Sequence, residues 1–426
     1  MITHPSPDEV VACIPRDATI VCAGLPMGPQ ALLRAICRRM PELGAPTIYC
    51  GDLSGRFEFL EEIPPEAWGR LRLLVGGGPV PRSERARVDL APWSVFDTEC
   101  LIASGRFRVD VCLVTVAPGE GGGYCLSPQV ACLHAAAARV PLVLAEVYET
   151  LPQLQGDVDL AADRIHAAVR MPGPLAGYRT DADIAPVQRR IAQHVAALIP
   201  DGACLQVGIG SMAEAILEAL SGHRDLGLHA GFISPGIARQ MQAGVINGRQ
   251  YPLAPGKVVT GALLGDQALF DFAHRHPDLV MRSFSHTNDP AVIAAIPRFF
   301  GVNAALAVDP LGQVGAEGGG GQFRAGGGGQ MDYVPGAHRS PGGASVIVLP
   351  STAARGTVSR IVAPNLLEGP VTCHRNWVDF VVTEHGVADL RGASVVERAE
   401  RLVAIADPAW RDQLSAAAAT IFHAVQ

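Results

Sequence analysis

The chain has 426 residues, of which 48% are hydrophobic, and its 34 basic and 41 acidic side chains give a net charge of -7. This apolar content excludes a disordered chain, and no run of residues approaches the roughly 18 consecutive apolar residues of a membrane-spanning helix. The negative charge and the lack of a basic stripe with interleaved aromatic residues argue against a nucleic-acid partner. The sequence therefore predicts a soluble globular protein that is large enough for two domains.

The N-terminal segment and the cysteines bear on the compartment and on metal binding. Residues 1–17 lack a charged leader followed by an apolar stretch, so we expect a cytoplasmic protein. The ten cysteines are scattered along the chain and form no C-x-x-C pair. The sequence therefore predicts no metal site, and reduced cysteines that pack as small hydrophobic residues.

Two segments of the chain follow the same pattern. IPRDATIVCAGLPMGPQALLRAI begins at Ile14, and IPDGACLQVGIGSMAEAILEAL begins at Ile199, 185 residues later. Each contains a turn, a short apolar run (residues 19–23 and 204–207), a glycine-containing loop and apolar residues at helical spacing. Short unbroken apolar runs are typical of strands that are covered on both faces of a parallel sheet. We therefore predict a strand, loop and helix unit that occurs twice.

Further strands and helices alternate along the chain. The predicted strands are residues 111–116, 140–146, 258–263, 344–349 and 378–383, and the predicted helices are residues 129–138, 186–198, 237–243 and 395–404. Such alternation predicts an open, mostly parallel α/β sheet in each half. The sequence Pro172-Gly173-Pro174 and the polar residues after it predict a boundary, with domains at residues 1–180 and 181–426.

Glycine-rich segments are candidates for close contact with a ligand. Gly208-Ile209-Gly210-Ser211-Met212 lies where a strand ends and a helix begins, so its backbone N–H groups can hold a phosphate or an oxyanion. Two glycine clusters, residues 318–321 and 326–329, let the backbone approach a ligand closely. The alternative interpretation of these clusters is a flexible surface loop.

Five sequence blocks resemble the acetyl-CoA hydrolase/transferase family, and within it the 4-hydroxybutyrate and butyrate:acetate CoA-transferases. The blocks are EVYETLPQLQGD (146–157), IPDGACLQVGIG (199–210), GGQMDYVPGA (328–337), LPSTAARGTVSRIV (349–362) and TEHGVADLRG (383–392). The resemblance implies two similar α/β domains of CoA-transferase type, with acyl-CoA in a cleft between them and no tightly bound cofactor. It also implies that residues 208–212 line the thioester, that Gly328 and Gly329 supply backbone near it, and that Asn303 lies beside the pocket.

The chain differs from the family at the position of the nucleophile. In the family, a glutamate carboxylate attacks the acyl-CoA carbonyl, and the glutamyl-CoA thioester that follows passes CoA to an incoming carboxylate. The matching segment here is HAGFISPG (229–236), which places Gly231 at the glutamate position. Because glycine offers no nucleophile, the covalent mechanism cannot operate at this position. Ala354 also stands at the position of a family lysine, and the neighbouring Arg355 is the candidate to take over the role of that lysine.

Two other residues are candidates for catalytic roles. His229 titrates near neutrality, and in an extended strand it shares a face with Gly231. The structural alternative is a buried, hydrogen-bonded histidine. Glu317 matches a family glutamate and is a possible base or nucleophile. The structural alternative is that its carboxylate orders the glycine-rich loop by accepting backbone N–H groups.

The sequence leaves three functional hypotheses open. The first is acyl transfer or thioester hydrolysis by direct attack of a carboxylate, amine, alcohol, carbon nucleophile or water, without a glutamyl-CoA intermediate. The second is ordinary CoA transfer with Glu317 as the nucleophile. The third is a catalytically silent acyl-CoA-binding or partner subunit. In each case we expect acyl-CoA and a small molecule as the partners, no association with a membrane, and a homodimer.

Overall fold

A computed structural model describes residues 2–423, apart from residues 23, 25–26, 53–56, 68, 78–87, 179–182, 321 and 364–365. Its fold is mixed α/β, with two large, mostly parallel sheets that follow one another in sequence. This confirms the fold class predicted from the alternating strands and helices. In the described part of the chain, no helix combines the length and the apolar character that crossing a membrane requires.

The first sheet is built from residues 2–170. Its strands are β1 (Ile2–His4), β2 (Thr19–Cys22), β3 (Thr47–Asp52), β4 (Arg72–Gly77), β5 (Val88–Leu90), β6 (Val111–Pro118), β7 (Tyr124–Leu126), β8 (Leu142–Val147), β9 (Asp159–Leu160) and β10 (Ala167–Arg170). The strand order is β1-β10-β8-β6-β2-β3-β4-β5, and every neighbouring pair in this order is parallel. Strand β7 pairs antiparallel with β6 and β9.

The second sheet and three small hairpins are built from residues 204–389. The strands are β11 (Cys204–Val207), β12 (Gly227–Ile233), β13 (Val258–Leu263), β14 (Leu279–Met281), β15 (Phe299–Ala304), β16 (Ala307–Val308), β17 (Val314–Gly315), β18 (Gly318–Gly319), β19 (Gln322–Phe323), β20 (Ala344–Val348), β21 (Thr352–Ala353), β22 (Val358–Ser359), β23 (Phe380–Thr383) and β24 (Gly386–Asp389). The sheet order is β14-β13-β12-β11-β15-β20-β23-β24, with only the β23–β24 pair antiparallel.

The helices connect these strands and cover the sheets. They are α1 (Pro7–Val10), α2 (Gln30–Arg38), α3 (Met40–Leu43), α4 (Val95–Ser104), α5 (Leu133–Arg139), α6 (Pro186–Leu198), α7 (Ser211–Ala219), α8 (Pro235–Gln242), α9 (Gln267–Ala273), α10 (Phe284–Thr287), α11 (Pro290–Ala294), α12 (Gln330–Arg339), α13 (Val395–Ala404) and α14 (Arg411–His423). Sequence signals account for several boundaries. The Ser94 hydroxyl accepts the Asp97 N–H at the start of α4, and Ser394 with Glu397 forms a capping box at the start of α13.

The repeated unit occupies the same place in both sheets. Strand β2 lies between β6 and β3 and leads to α2, while β11 lies between β12 and β15 and leads to α7. All four residues of β11 are buried, as the unbroken apolar run predicts. The prediction of two copies of strand, loop and helix is therefore confirmed. Three residues of the first copy's loop, at positions 23, 25 and 26, lie outside the described residues.

The predicted helix over residues 129–138 is wrong at its beginning, because α5 starts only at Leu133. The preceding residues instead contact the second sheet. Gln129 forms an antiparallel bridge with Ala262, and the Val130 N–H donates to the Gly261 carbonyl at 2.9 Å. These residues therefore form part of the contact between the two halves of the chain.

Buried polar bonds and an ion pair join the two halves. The Glu99 carboxylate accepts the backbone N–H of Ser285 at 2.6 Å and its hydroxyl at 2.9 Å. Arg282 bonds Asp157 at 2.8 Å. One sheet ends at Arg170 and the next begins at Cys204, and the predicted boundary between residues 180 and 181 lies outside the described residues.

Candidate active site

A cavity of about 570 Å³ lies between the two halves. It opens at the carboxyl ends of β3, β11, β12 and β15, which is where open α/β sheets usually bind ligands. The first half contributes Tyr49, Gly51, Val95, Thr98 and Cys132. The second half contributes Gln206–Ile209, Gly231, Phe232, Phe284, Asn288, Asn303, Ala304, Leu306, Ala316, Arg324–Gln330 and Tyr333.

The glycine-rich segments enter the cavity in part. Gly208, Ile209, Gly328 and Gly329 line it, together with Asn303. A side chain at Gly329 would begin 2.8 Å from Nδ2 of Asn288, so this close approach requires glycine. The structure thus brings these five sequence-predicted residues together around one cavity.

Gly210, Ser211 and Met212 are not among the residues that line the cavity. Gly210 precedes helix α7, and the Ser211 hydroxyl accepts a hydrogen bond from Nε2 of Gln188 at 2.7 Å. The segment therefore turns away from the cavity after Ile209, because its last residues begin the helix.

Gly231 lines the cavity, and its backbone position has room for a Cβ atom. It lies in β12, where the predicted extended stretch is confirmed. A Cβ atom built on Gly231 would lie 3.4 Å from Oδ1 of Asn288, 3.5 Å from the Tyr333 hydroxyl and 3.7 Å from Cε1 of Phe284. These are ordinary van der Waals distances, so the backbone here accommodates a side chain without displacement.

His229 is fully buried and does not line the cavity. Its Nδ1 lies 2.8 Å from the Tyr251 hydroxyl, and its ring packs beside Phe299 and His286. Burial lowers the pKa of His229 to about 3, with a smaller contribution from His286. The imidazole is therefore neutral at physiological pH, and this environment favours the structural alternative for His229.

A buried hydrogen-bond network lies against Gly231. Oδ1 of Asn288 accepts the Tyr333 hydroxyl at 3.1 Å and the Thr287 hydroxyl at 3.0 Å, and its Nδ2 donates to Oδ2 of Asp332 at 3.1 Å. The same Asp332 oxygen accepts the backbone N–H of Phe96 from the first half at 3.1 Å. Burial raises the pKa of Asp332 to about 7, and hydrogen bonds from Ser94, Asn288 and Phe96 partly offset this effect.

Side-chain amides line another side of the cavity. Nδ2 of Asn303 donates to Oε1 of Gln206 at 3.1 Å, which holds both side chains in place. Gln330 is buried, and its Nε2 has no hydrogen-bond partner within the described structure. Gln330 lines the cavity, but this nitrogen has almost no accessible surface of its own.

Among the described residues that line the cavity, none is an aspartate or glutamate, and the single formally charged side chain is Arg324. Glu317 is also outside the lining. Its backbone carbonyl, rather than its carboxylate, accepts the N–H groups of Arg324 and Ala325, at 2.7 and 3.0 Å. The carboxylate that binds the neighbouring loop is that of Glu368, which accepts the Gly320 N–H at 2.8 Å.

A second cavity of about 670 Å³ adjoins the first and shares Leu306 and Arg324 with it. Arg360 also lines this cavity, and burial together with the charge of Arg324 lowers its pKa. Ala354, at the position of the family lysine, lines it as well, but Arg355 does not. Two arginines at one cavity are suited to binding phosphate groups.

Sequence reasoning missed Asn288, Arg324 and Arg360 as residues of the site. Arg360 lies inside the block 349–362 and Gln330 and Tyr333 lie inside the block 328–337, so two of the recognised blocks already contained site residues. Asn288 belongs to no such block and was not identifiable before the packing of α10 was known. In the described part of the chain, no group of three or more His, Cys, Asp or Glu residues is arranged to hold a metal ion.

Comparison with known proteins shows the family. The 4-hydroxybutyrate coenzyme A transferase of Clostridium kluyveri is 33% identical over 408 residues, which cover 96% of this chain and 95% of that protein. The chain belongs to the CoA-transferase family. In addition, residues 265–418 match the model of the acetyl-CoA hydrolase/transferase C-terminal domain. This CoA-transferase-family enzyme therefore resembles its relative over nearly its whole length.

Solved structures give the same assignment. The 4-hydroxybutyrate CoA-transferase of Porphyromonas gingivalis is 33% identical, has a TM-score of 0.80, and the match covers 97% of this enzyme and 96% of that chain. RipA of Yersinia pestis is 29% identical with a TM-score of 0.89, over 99% and 98% of the two chains. The tandem sheets with the cavity between them are thus the architecture of this CoA-transferase-family enzyme.

Proposed function

We propose that this enzyme transfers an acyl group from a CoA thioester by direct attack of an acceptor, without a glutamyl-CoA intermediate. The observation that carries the proposal is Gly231. On the resemblance it stands at the family's nucleophile position, and it lines the cavity without a side chain of its own. With no described carboxylate along the lining, the acceptor itself takes the role of the nucleophile.

In this reaction the acceptor attacks the thioester carbonyl carbon, the carbon–sulfur bond breaks and CoA leaves. Negative charge then develops on the carbonyl oxygen. Backbone N–H groups of the glycine segments and the Asn303 amide are the available donors. One such donor is typically worth on the order of 3 kcal/mol of barrier. This stabilisation does not depend on an enzyme nucleophile.

The second cavity supports a CoA thioester as the substrate. Arg324 and Arg360 bring two positive charges to the second cavity beside the one carboxylate of its described lining, that of Glu368, which suits the phosphates of CoA, and Arg324 lines both cavities. The thioester then lies in the first cavity and the nucleotide in the second. The relatives' names support this substrate class, because they are CoA transferases.

The other two hypotheses have less support. Ordinary CoA transfer needs Glu317 at the thioester, but its carboxylate does not line the cavity. A silent subunit is supported only by the absence of a described carboxylate from the lining, which direct attack also explains. Hydrolysis, with water as the acceptor, is the remaining variant of direct attack. The homodimer and the cytoplasmic location stay predictions.

The proposal is tested by incubating the enzyme with butyryl-CoA and, in separate reactions, a carboxylate, an alcohol or an amine, counting released thiol and measuring the intact protein mass. We expect thiol release with no mass gain on the polypeptide. A mass gain equal to CoA would overturn the proposal in favour of a covalent shuttle. If butyryl-CoA binds but no thiol is released with any of the added acceptors, the result would favour the silent subunit.

A further inference from the structure

We propose that Phe284 limits the length of the acyl chain, because its ring stands where the chain ends. This role rests on the proposed function and narrows it, since direct attack by itself leaves the acyl group open. The order of the site residues across the second sheet, the bare backbone beneath the ring and the hydrogen bonds of helix α10 support it.

The strand order gives the direction of the substrate. Four neighbouring strands of the second sheet follow in the order β13-β12-β11-β15. Asn303 lies near the end of β15, and Leu306, which lines both cavities, follows that strand, so the CoA side of the first cavity lies at β15. Gly208 follows β11, and Gly231 lies in β12, one strand further from the CoA side. In acyl-CoA the chain continues from the thioester away from the phosphates, so a carbonyl beside Asn303 and Gly208 directs the chain past Gly231 toward β13.

The backbone beneath the Phe284 ring carries no side chains. Gly231 and Gly261 are neighbours across β12 and β13, because the residue pairs on either side of them are in register. A Cβ atom on Gly261 would lie 2.7 Å from Cε1 of Phe284, so the ring keeps this place only over glycine. The corresponding distance at Gly231 is 3.7 Å, an ordinary contact. The ring therefore lies over β13 and borders the space beside Gly231, on the side away from CoA.

The first half of the chain holds the backbone of Phe284 in place. The three consecutive N–H groups of residues 283–285 donate, in that order, to Asp157 at 3.1 Å, to the Ala131 carbonyl at 3.2 Å and to Glu99 at 2.6 Å. Phe284 is only 7% exposed, and its ring meets that of Phe232 edge-on with centroids 5.9 Å apart. A ring that is fixed through its main chain and packed on a second ring does not swing aside for a longer chain.

The end of the cavity at Phe284 is apolar. Val95 and Cys132 line the cavity from the first half. Cys132 follows the residue whose carbonyl accepts the Phe284 N–H, and Val95 lies one helical turn before Glu99, which binds the residue after Phe284. These side chains suit a hydrocarbon chain, and one methylene more or less in an apolar pocket changes kcat/KM by roughly tenfold or more.

The space between the thioester and the ring suits a short chain. Neighbouring strands lie about 4.8 Å apart, so β11 and β13 are separated by about 10 Å, and the ring over β13 takes up part of that distance. A butyryl chain, with three carbons beyond the carbonyl, is shorter than the distance that remains. An octanoyl chain, with seven, is longer and meets the Phe284 ring.

The test measures thiol release from acetyl-, butyryl-, hexanoyl- and octanoyl-CoA by the wild type, Phe284→Ala and Phe284→Leu. The acceptor is the one that releases thiol fastest from butyryl-CoA in the wild type. We expect the wild-type kcat/KM to fall at least tenfold from butyryl-CoA to octanoyl-CoA. In Phe284→Ala the octanoyl-to-butyryl ratio of kcat/KM should rise at least tenfold, because the truncated side chain leaves room for the longer chain. Phe284→Leu removes less volume and should give a smaller rise.

Phe272→Ala is the matched control, since Phe272 packs on His276 and is not among the described residues that line either cavity. It should leave the ratio unchanged. An unchanged ratio in a folded Phe284 variant would overturn the role of Phe284, and the Leu variant decides if the Ala variant does not fold. A wild-type kcat/KM that stays level or rises from butyryl-CoA to octanoyl-CoA would overturn it without any variant.

Failure of the proposed function gives different results. A mass gain equal to CoA on the protein would overturn direct attack, while the chain-length ratio would still decide the role of Phe284. If no acyl-CoA releases thiol, the proposed function is overturned, and calorimetry then measures the Kd values of octanoyl-CoA and butyryl-CoA. Their ratio should be at least ten in the wild type and fall at least tenfold in Phe284→Ala. A Kd ratio that is the same in both proteins would overturn the role of Phe284 as well.

Discussion

Nδ2 of Asn288 donates to Oδ2 of Asp332 across 3.1 Å, and this bond fixes the face of the amide that meets Gly231. The same Asp332 oxygen accepts the Phe96 N–H from the first half of the chain. One buried carboxylate therefore orients a side chain of the cavity and also joins the two sheets that enclose it. The shape of the cavity and the packing of the halves depend on the same group.

We predict that Asp332 and Glu146 each contribute a term to the free energy of unfolding that decreases as the pH rises from about 4 to about 7. The pKa of Asp332 is raised by burial to about 7, and that of Glu146 likewise to about 7. Over this range these two carboxyls bind more protons in the folded state than in the unfolded state, so their contribution to the free energy of unfolding decreases as pH rises, while the lowered pKa of His229 acts in the opposite direction. Each group contributes a slope of up to about 1.4 kcal/mol per pH unit.

Asp332→Asn should flatten this dependence, because the variant no longer titrates while its amide oxygen still accepts the Phe96 N–H. Urea unfolding at pH 5, 6, 7 and 8 measures the slope for the wild type, for Asp332→Asn and for the exposed control Asp163→Asn. Equal slopes in all three proteins would contradict the assignment of the titration to Asp332.

Gly231→Glu should introduce a covalent CoA adduct. The Cβ distances at Gly231 allow a side chain to begin there, and a glutamate restores the family's nucleophile beside the thioester. Intact-protein mass spectrometry after incubation with butyryl-CoA should show a gain equal to CoA. Gly231→Gln has the same size without the carboxylate and should show none. An unmodified, folded Gly231→Glu variant would mean that the cavity does not place the thioester at this position.

Glu99→Ala should weaken the contact between the two halves. The buried carboxylate accepts both the N–H and the hydroxyl of Ser285, and its loss leaves the N–H without this partner while the hydroxyl keeps the Ser283 hydroxyl at 2.8 Å. We expect the free energy of unfolding to fall by about 1–3 kcal/mol, measured by urea unfolding. Glu99→Gln keeps one acceptor oxygen and should lose less. An unchanged free energy in Glu99→Ala would show that this bond contributes nothing to the interface.

Arg360→Ala should weaken the binding of CoA but not that of pantetheine, which lacks the phosphates. A charge-assisted hydrogen bond is worth about 1.5–3 kcal/mol, so we expect the Kd for CoA to rise roughly tenfold or more. Isothermal titration calorimetry measures both ligands, with the exposed Arg190→Ala as the control. Equal loss of affinity for CoA and pantetheine would place the phosphates elsewhere.

Strong local patterns predicted much of the fold. The bounds of β11, β13, α6 and α13 were predicted to the residue, because unbroken apolar runs and helical spacing carry that information. Short edge strands such as β1 and β5 were missed, since three residues hold no recognisable period. Residues 129–132 were assigned to a helix although they contact the other sheet, which is a tertiary interaction.

The site was predictable only where the chain approaches the ligand through glycine. Gly208, Gly328 and Gly329 were predicted from glycine patterns and the family blocks, and they line the cavity. Asn288 was missed, because its importance arises from Asp332 and Tyr333, 44 and 45 positions away. Glu317 shows the opposite limit of the sequence. It was predicted because it matches a family glutamate, but that match does not reveal that its backbone carbonyl, rather than its carboxylate, binds the glycine-rich loop.

Isotope exchange tests direct attack without an enzyme nucleophile. The enzyme is incubated with butyryl-CoA and ¹³C-labelled butyrate, with no other acceptor, and the label in the thioester is followed over time. A glutamyl-CoA intermediate passes CoA to the labelled acid, whereas direct acyl transfer to an alcohol or amine provides no such path. We predict no label in butyryl-CoA with the wild type and labelling with Gly231→Glu. Label that enters butyryl-CoA in the wild-type reaction together with a CoA adduct on the protein would contradict the account.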